Sequence, residues 1–292
     1  MPETLRLGTR GSDLARTQSQ GIADLITATT GREVELIIIT TRGDRIQDRP
    51  LPEIGGKGLF TLELEAALRN GDIDFAVHSL KDLPTDDPDG IVLGAIPARV
   101  DPRDAIVGHP VEALPAGANV GSGSLRRRMQ LLRLRPDVQI GDIRGNVPTR
   151  LQKRDRGDFA ATILAMAGLI RLGISREDIY PLSVDEMVPA VGQGALAVQC
   201  RSDDPVVGPI LAAIDDATTR ASVEGERAFL RTWGGGCNVP AGAHVSHDGD
   251  VFTIRAVVED SSGQMRRYEA QGEDPVALGL SAAAALNSSA DA

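Results

Sequence analysis

Apolar runs and amphipathic stretches alternate along the first part of the chain. Residues 5–8 are typical of a short strand, and a helical pattern with Ile22 and Ile26 on one side follows and stops at Gly31. Residues 34–39 form a β-branched run, which predicts a strand buried on both faces. The chain is therefore predicted to open with a βαβ unit.

A second unit of the same kind is predicted in the middle of the chain. A Gly/Ser turn at 121–124 leads into a helix predicted at 125–135 and a strand predicted at 138–143. The composition changes at 98–104 and again at 188–195, which predicts two crossovers between lobes. The two halves share an arrangement but no residue pattern.

The last part of the chain has a different pattern. A helix is predicted at 221–231, and a helix of small residues at 277–286 closes the chain. Between them, strand-like segments separated by Gly-containing turns are predicted at 243–246, 251–258 and 266–271. This part is predicted to be a small α+β domain.

These elements predict an α/β protein with two doubly wound lobes and a third, small α+β domain. The first lobe is expected to comprise residues 1–98 plus 196–216, the second residues 102–192, and the third domain residues 218–292. The two-lobed layout resembles that of periplasmic binding proteins.

Polar residues follow a predicted buried strand at 72–76. Ser79, Lys81 and Asp82 are expected just past its carboxyl end, where open α/β sheets bind their ligands. A lysine there attracts an anion, and a neighbouring aspartate stabilises a developing positive charge. These residues alone leave a plain surface ion pair open as the alternative.

The composition excludes several classes of function. The 292 residues are 41% apolar but only 3% aromatic, with a net charge of −10, which argues against nucleic-acid binding. No apolar run reaches the roughly 18 residues that a membrane helix needs, and residues 1–7 lack the pattern of a signal segment. Cys200 and Cys237 lie in no metal-binding motif, so we expect a reduced, cytoplasmic protein without a metal.

Positive charge is nevertheless concentrated between residues 121 and 156, where ten Lys/Arg stand against three Asp. Arg126 and Arg127 open a predicted helix, and Arg144 follows a predicted strand, positions suited to bidentate carboxylate binding. The other basic residues there are expected on a solvated surface: Arg128, Arg133, Arg135, Lys153, Arg154 and Arg156. Arg10 and Ser12, in the turn before the first helix, form a further predicted anion site.

Cys237 follows three glycines, which expose a thiol to chemistry. A buried, unreactive cysteine in a tight turn is the alternative, and these residues alone favour it. Cys200 lies in an apolar strand and is predicted to be buried and inert.

Eight motifs in order resemble those of the porphobilinogen deaminase (hydroxymethylbilane synthase) family across residues 5–245. They occur at 9–12, 41–44, 55–60, 78–84, 121–127, 144–147, 190–194 and 235–240. The resemblance implies a cytoplasmic, monomeric transferase of tetrapyrrole (heme) biosynthesis. It would condense four porphobilinogen molecules, release ammonia each time and free linear hydroxymethylbilane by hydrolysis.

The resemblance also implies a dipyrromethane cofactor joined to Cys237 by a thioether. Asp82 and Lys81 would be catalytic; whether Asp82 donates a proton or only stabilises charge stays open. The implied cofactor-binding residues are Cys237, Lys81, Asp82, Ser122, Ser124, Arg126, Arg127, Arg144 and Gly145. Those implied to bind porphobilinogen and the growing oligopyrrole are Arg10, Ser12, Lys57, Phe60, Ser79, Arg150 and Arg171.

Two positions depart from the family pattern. Glu53 stands where some relatives carry a lysine, and Pro148 lies in a predicted first helical turn, where proline is tolerated. Two other function classes fit these residues less well. A non-catalytic anion-binding protein has no use for Cys237 or Asp82, and a cysteine hydrolase lacks a histidine base.

Overall fold

The computed structural model describes residues 4–41, 43, 61–234 and 239–287. The chain divides into two compact units, Met1–Arg99 with Ala195–Arg220, and Val100–Gly194 with Ala221–Ala292. In the described stretches, no helix is both long enough and apolar enough to cross a bilayer.

The described strands, in chain order, are β1 (Leu5–Thr9), β2 (Val34–Ile38), β3 (Phe75–Ser79), β4 (Ile91–Ala95), β5 (Asp104–Val107), β6 (Asn119–Gly121), β7 (Gln139–Gly141), β8 (Ala161–Ala165), β9 (Ile179–Pro181), β10 (Leu196–Arg201), β11 (Ala241–Asp248), β12 (Val251–Glu259) and β13 (Met265–Gly272). The described α-helices are α1 (Asp13–Thr30), α2 (Leu62–Asn70), α3 (Leu125–Leu134), α4 (Val147–Asp155), α5 (Met166–Arg171), α6 (Val207–Ala212), α7 (Ala217–Trp233) and α8 (Pro275–Asn287).

The first unit is a five-stranded sheet with helices on both faces. The strand order is β2-β1-β3-β10-β4, with β1 parallel to β2 and β3, and β10 antiparallel to both its neighbours. Ile26 of α1 and Leu211 of α6 pack on one face, and Leu64 and Leu68 of α2 pack on the other. Apolar residues cover both faces, so the sheet is doubly wound as predicted.

The prediction that the second strand is buried on both faces was wrong. Among the described strands, β2 pairs only with β1, at the edge of the sheet, and its residues are partly buried or exposed. Ile38 keeps 55% of its surface exposed. An edge strand lacks a neighbour on one side, so β-branched residues there are shielded by one strand and the helices only.

The second unit contains a sheet of the same design. Its order is β7-β6-β8-β5-β9, with β6 parallel to β7 and β8, and β5 antiparallel to β8 and β9. Leu131 of α3 packs against Ile163 on one face, while Leu151 of α4 and Leu169 of α5 pack on the other. The β6–α3–β7 unit repeats β1–α1–β2, as the sequence pattern predicted.

The second unit also contains an antiparallel sheet, β11-β12-β13, covered by α7 and α8. The two helices pack closely at Gly225 and Gly279, because a Cβ on Gly279 would lie 2.1 Å from the Gly225 carbonyl oxygen. The predicted fold class, two doubly wound sheets and a small α+β domain, is confirmed.

Candidate active site

Two neighbouring parallel strands of the first sheet end in polar residues. Arg10 and Ser12 follow β1, and Ser79 ends β3, so they lie at the same edge of the sheet. Ser12 caps α1 by accepting a hydrogen bond from the Ala15 N–H (3.3 Å). The Gln18 amide, also on α1, donates to Ser79 Oγ (3.0 Å). Ser12 and Ser79 are therefore both hydrogen-bonded to α1.

Asp82 lies on a single 3-10 turn, Leu80–Asp82, directly after β3. Leu80 and Leu83 are buried at 1% and 5% exposure, and the Leu80 N–H donates to the Ala195 carbonyl (3.1 Å). Asp82 is exposed between these anchors, and Lys81 is half-buried. The turn thus presents a carboxylate from a fixed backbone.

His78 precedes this turn and was not predicted as a site residue. Its ring is buried, and burial, followed by the charge of Arg10, lowers its pKa to about 4, against an opposing interaction with Gln199. His78 is therefore neutral at pH 7. His78 lies inside the apolar run of a central strand, and such a run predicts that the residue is buried.

In the second unit, β6 leads into the predicted Ser122 and Ser124. Ser122 Oγ accepts from the Ser124 N–H (3.3 Å), and Ser124 Oγ caps α3 by accepting from the Arg127 N–H (3.5 Å). Arg126 and Arg127 occupy the first turn of α3, as predicted.

Both arginines bind one carboxylate, that of Asp104 at the start of β5. Arg126 Nη1 lies 2.7 Å from Asp104 Oδ2, and Arg127 Nη2 lies 2.7 Å from Asp104 Oδ1. Gln193 Nε2 also donates to Oδ1 (2.9 Å). Complete burial raises the pKa of Asp104, but the two arginine charges outweigh burial and hold it below its usual range. Asp104 was not predicted as a site residue, because residue 104 falls in a predicted crossover.

Arg127 and Arg144 both stand near Arg150. Gly145 has φ +108° and its carbonyl accepts from Arg150 Nε (2.8 Å), which fixes Arg150 against the loop that follows Arg144. Burial, then the charge of Arg127 and that of Arg144, lower the pKa of Arg150 to about 10, although Asp142 opposes them. Arg127 and Arg144 thus both repel the Arg150 guanidinium, and a bound carboxylate would relieve that repulsion.

Arg171, at the end of α5, donates a hydrogen bond to the loop at residues 192–194. Its Nη2 donates to the Gly194 carbonyl (2.8 Å), and burial lowers its pKa to about 10. The preceding glycine, Gly192, donates its N–H to Glu226 of α7 (2.7 Å). The 192–194 loop therefore contacts Arg171, Asp104 and α7.

Three predicted site residues, Lys57, Phe60 and Cys237, lie outside the described residues. Cys200 is buried in the hydrophobic core of the first unit, as predicted. Burial raises the pKa of its thiol, which agrees with the prediction that this cysteine is inert. Over the described ranges, no cluster of three or more His, Cys, Asp or Glu side chains is arranged to hold a metal ion.

A family model of the porphobilinogen deaminase dipyromethane cofactor binding domain matches residues 5–208, and one of the porphobilinogen deaminase C-terminal domain matches residues 221–288. The chain belongs to the porphobilinogen deaminase family. The resemblance stated from the eight motifs is thereby confirmed.

Relatives within the porphobilinogen deaminase family align over nearly the whole chain. The porphobilinogen deaminase of Brevibacillus brevis is 47% identical over 287 residues, covering 96% of this chain and 93% of its own. That of Acidithiobacillus ferrooxidans (strain ATCC 53993 / BNL-5-31) is 47% identical over 292 residues, covering 98% and 95%. Among solved structures, a periplasmic substrate-binding protein of an ABC transporter from Coxiella burnetii matches with a TM-score of 0.44 at 16% identity, over 74% of this chain and 94% of its own.

Proposed function

We propose that this chain condenses four porphobilinogen molecules head to tail, releasing ammonia at each step, and frees linear hydroxymethylbilane by hydrolysis. It would act as a transferase of tetrapyrrole biosynthesis. Membership of the porphobilinogen deaminase family supports this activity. The observation that carries it is Asp82, an exposed carboxylate on an anchored turn at the sheet edge that also bears Arg10.

Asp82 would meet the positive charge that develops as the substrate reacts. Departure of ammonia from the aminomethyl arm leaves an electron-poor carbon. When the free α-carbon of the terminal ring of the bound chain attacks that carbon, positive charge develops on a pyrrole nitrogen. A fixed carboxylate that accepts the pyrrole N–H stabilises that charge. Arg10, Ser12 and Ser79 would bind the acidic arms of the substrate, together with Lys57, Phe60, Arg150 and Arg171.

We propose that the family's dipyrromethane cofactor is joined to Cys237 by a thioether. Pyrrole rings of this type carry acetate and propionate arms. Arg150, which is repelled by both Arg127 and Arg144, suits such an anionic group together with these two arginines. Ser122, Ser124, Arg126 and Gly145 would hold it with them. When bound, the cofactor supplies the free α-carbon to which the first substrate unit is added.

The intact mass of the purified protein tests this attachment. Wild-type protein should exceed its sequence mass by two linked pyrrole units, and Cys237→Ser should abolish the excess. Cys200→Ser is the matched control, since Cys200 is buried in the first core, and it should keep the excess. Wild-type protein of unmodified mass that converts porphobilinogen at full rate would contradict the attachment.

Product analysis tests the reaction itself. Wild-type protein should release one ammonia per porphobilinogen consumed and form linear hydroxymethylbilane. Binding of porphobilinogen without ammonia release would instead indicate a non-catalytic anion-binding protein. We further propose a cytoplasmic monomer, which light scattering and cell fractionation would check.

A further inference from the structure

Asp104 is a completely buried carboxylate whose role the proposed reaction leaves unassigned. It opens β5, a strand that pairs with both β8 and β9, and its side chain has 0% exposure. The carboxylate receives four donors. They are Arg126 Nη1 at 2.7 Å on Oδ2, and Arg127 Nη2 at 2.7 Å, Arg127 Nε at 3.1 Å and Gln193 Nε2 at 2.9 Å on Oδ1.

The charges of this cluster do not cancel. Two guanidinium groups share one carboxylate, which leaves one positive charge in a buried place. That charge extends beyond the cluster, because Arg127 lowers the pKa of Arg150. The cluster therefore contributes to the positive potential around Arg127 and Arg150, with Asp104 setting how much of it is neutralised.

A need for stability alone explains this arrangement poorly. Buried ion pairs are weak stabilisers, since apolar side chains of similar volume often serve as well or better. Each arginine also donates to a backbone carbonyl: Arg126 Nη1 to that of Val188 (2.7 Å) and Arg127 Nη1 to that of Ile163 (2.9 Å). Arg127 is therefore held on both sides of its fork, since its Nε and Nη2 donate to Asp104. Such fixation matters where a fork must meet a planar carboxylate in one orientation.

We infer that Asp104 is a positioning residue, which orients the Arg126 and Arg127 guanidinium groups for binding the carboxylate arms of the pyrrole ligand. This inference rests on the proposed function. It assigns to Asp104 an indirect part in ligand binding, exerted through the two arginines and Gln193.

Two variants separate charge from geometry. Asp104→Asn keeps the shape but removes the charge, and Asp104→Glu keeps the charge but moves it by one methylene. In both, the KM for porphobilinogen should rise about tenfold to a hundredfold, as expected for weakened bonds to a charged group. The kcat per loaded enzyme should change much less, and the fraction of Asp104→Asn carrying the pyrrole mass increment should fall.

Asp101→Asn is the matched control. Asp101 lies three residues earlier in the same unit and pairs with Arg103, whose side chain is 42% exposed. It should keep the wild-type KM and loading. Thermal melting identifies the folded fraction of each variant, and if Asp104→Asn does not fold, Asp104→Glu carries the test because both arginines keep their counter-ion.

A wild-type KM and full loading in folded Asp104→Asn or Asp104→Glu would overturn the inference. A loss of melting temperature with an unchanged KM and full loading would do the same, since it indicates a structural role only. Failure of the proposed function is a separate outcome, namely a wild-type protein that releases no ammonia from porphobilinogen.

Discussion

At the scale of single residues, Asp82 combines a fixed backbone with an exposed side chain. Buried Leu80 and Leu83 hold the turn, so replacing the carboxylate should leave the fold intact. Asp82→Asn keeps the size of the side chain and removes its charge. We expect turnover of porphobilinogen to fall about 10²–10⁴-fold, the usual contribution of a positioned acid–base or charge-stabilising group. Ammonia release under saturating substrate measures the effect.

Asp89→Asn is the control for that prediction. Asp89 is also an exposed aspartate, in the connection between β3 and β4, and its loss should leave turnover unchanged. Melting curves of both variants should coincide with that of the wild type. If Asp82→Asn turns over at a near-normal rate, Asp82 has no part in the chemistry.

His78 makes a prediction about acid stability. Burial and the charge of Arg10 lower its folded-state pKa to about 4, below the ordinary value of 6.5. Between these two pH values, the unfolded chain therefore binds a proton at His78, whereas the folded chain keeps His78 neutral. Stability from this group is fully present above pH 6.5 and is lost as the pH falls toward 4. The free energy of unfolding should drop by about 2–3 kcal/mol between pH 7 and pH 4.5 from this residue.

Urea unfolding at the two pH values isolates that contribution. His78→Gln cannot titrate, so its free energy of unfolding should fall less between pH 7 and pH 4.5 than that of the wild type. His109→Gln, at an exposed site, should behave as the wild type. Equal pH dependence in wild type and His78→Gln would show that His78 does not titrate as its burial requires.

At the scale of elements, the start of α4 determines the position of Arg150. Asn146 caps this helix by accepting from the Thr149 N–H (2.9 Å) and hydroxyl (2.7 Å). Asn146→Ala should cost about 1 kcal/mol of stability. Because Arg150 lies in the first turn, we also expect the KM for porphobilinogen to rise about fivefold, within the tenfold that 1.4 kcal/mol represents.

Ser183→Ala separates these two effects. Ser183 Oγ accepts from the Glu186 N–H (3.2 Å) in an exposed turn, so its loss should also lower stability. The KM of Ser183→Ala should equal that of the wild type. A parallel rise of KM in both variants would mean that lowered stability, and not the position of Arg150, changes substrate binding.

Elements with a local signal were predictable from sequence. The βαβ start and the first turn containing Pro148 follow from apolar spacing and from the tolerance of a first helical turn for proline, and the structure has both. The three-stranded C-terminal sheet was predicted for the same reason, because its turns contain glycine at Gly249 and Gly263, both with positive φ. Such signals act within a few residues.

The short strands β4, β5 and β9 were not predicted, since an apolar run of three to five residues is by itself an ambiguous signal. Asp104 was missed for this reason, although it opens a run of apolar residues. Its partners lie 22, 23 and 89 positions away at Arg126, Arg127 and Gln193, and only the tertiary structure brings them together. The motifs therefore identified the arginines, but not the carboxylate that orients them.

At the scale of the whole molecule, an acidic protein is proposed to bind an acidic ligand. The net charge is −10, whereas residues 121–156 hold ten Lys/Arg and three Asp. Attraction for a polyanionic oligopyrrole must therefore come from a local positive region, against the repulsion of the molecule as a whole. Such attraction between partly exposed charges is screened by salt.

Substrate affinity should consequently depend on ionic strength. Between about 0.01 M and 0.15 M salt the Debye length shortens from about 30 Å to about 8 Å, which screens charges beyond direct contact. The KM for porphobilinogen should rise over this range, and Arg150→Met should show a higher KM with a shallower salt dependence. Arg156→Met, which removes a guanidinium 66% exposed and paired with Asp158, should keep the wild-type slope. If the KM of the wild type is independent of salt, then direct hydrogen bonds alone bind the carboxylate arms, and the surrounding positive charge has no role in capturing the substrate.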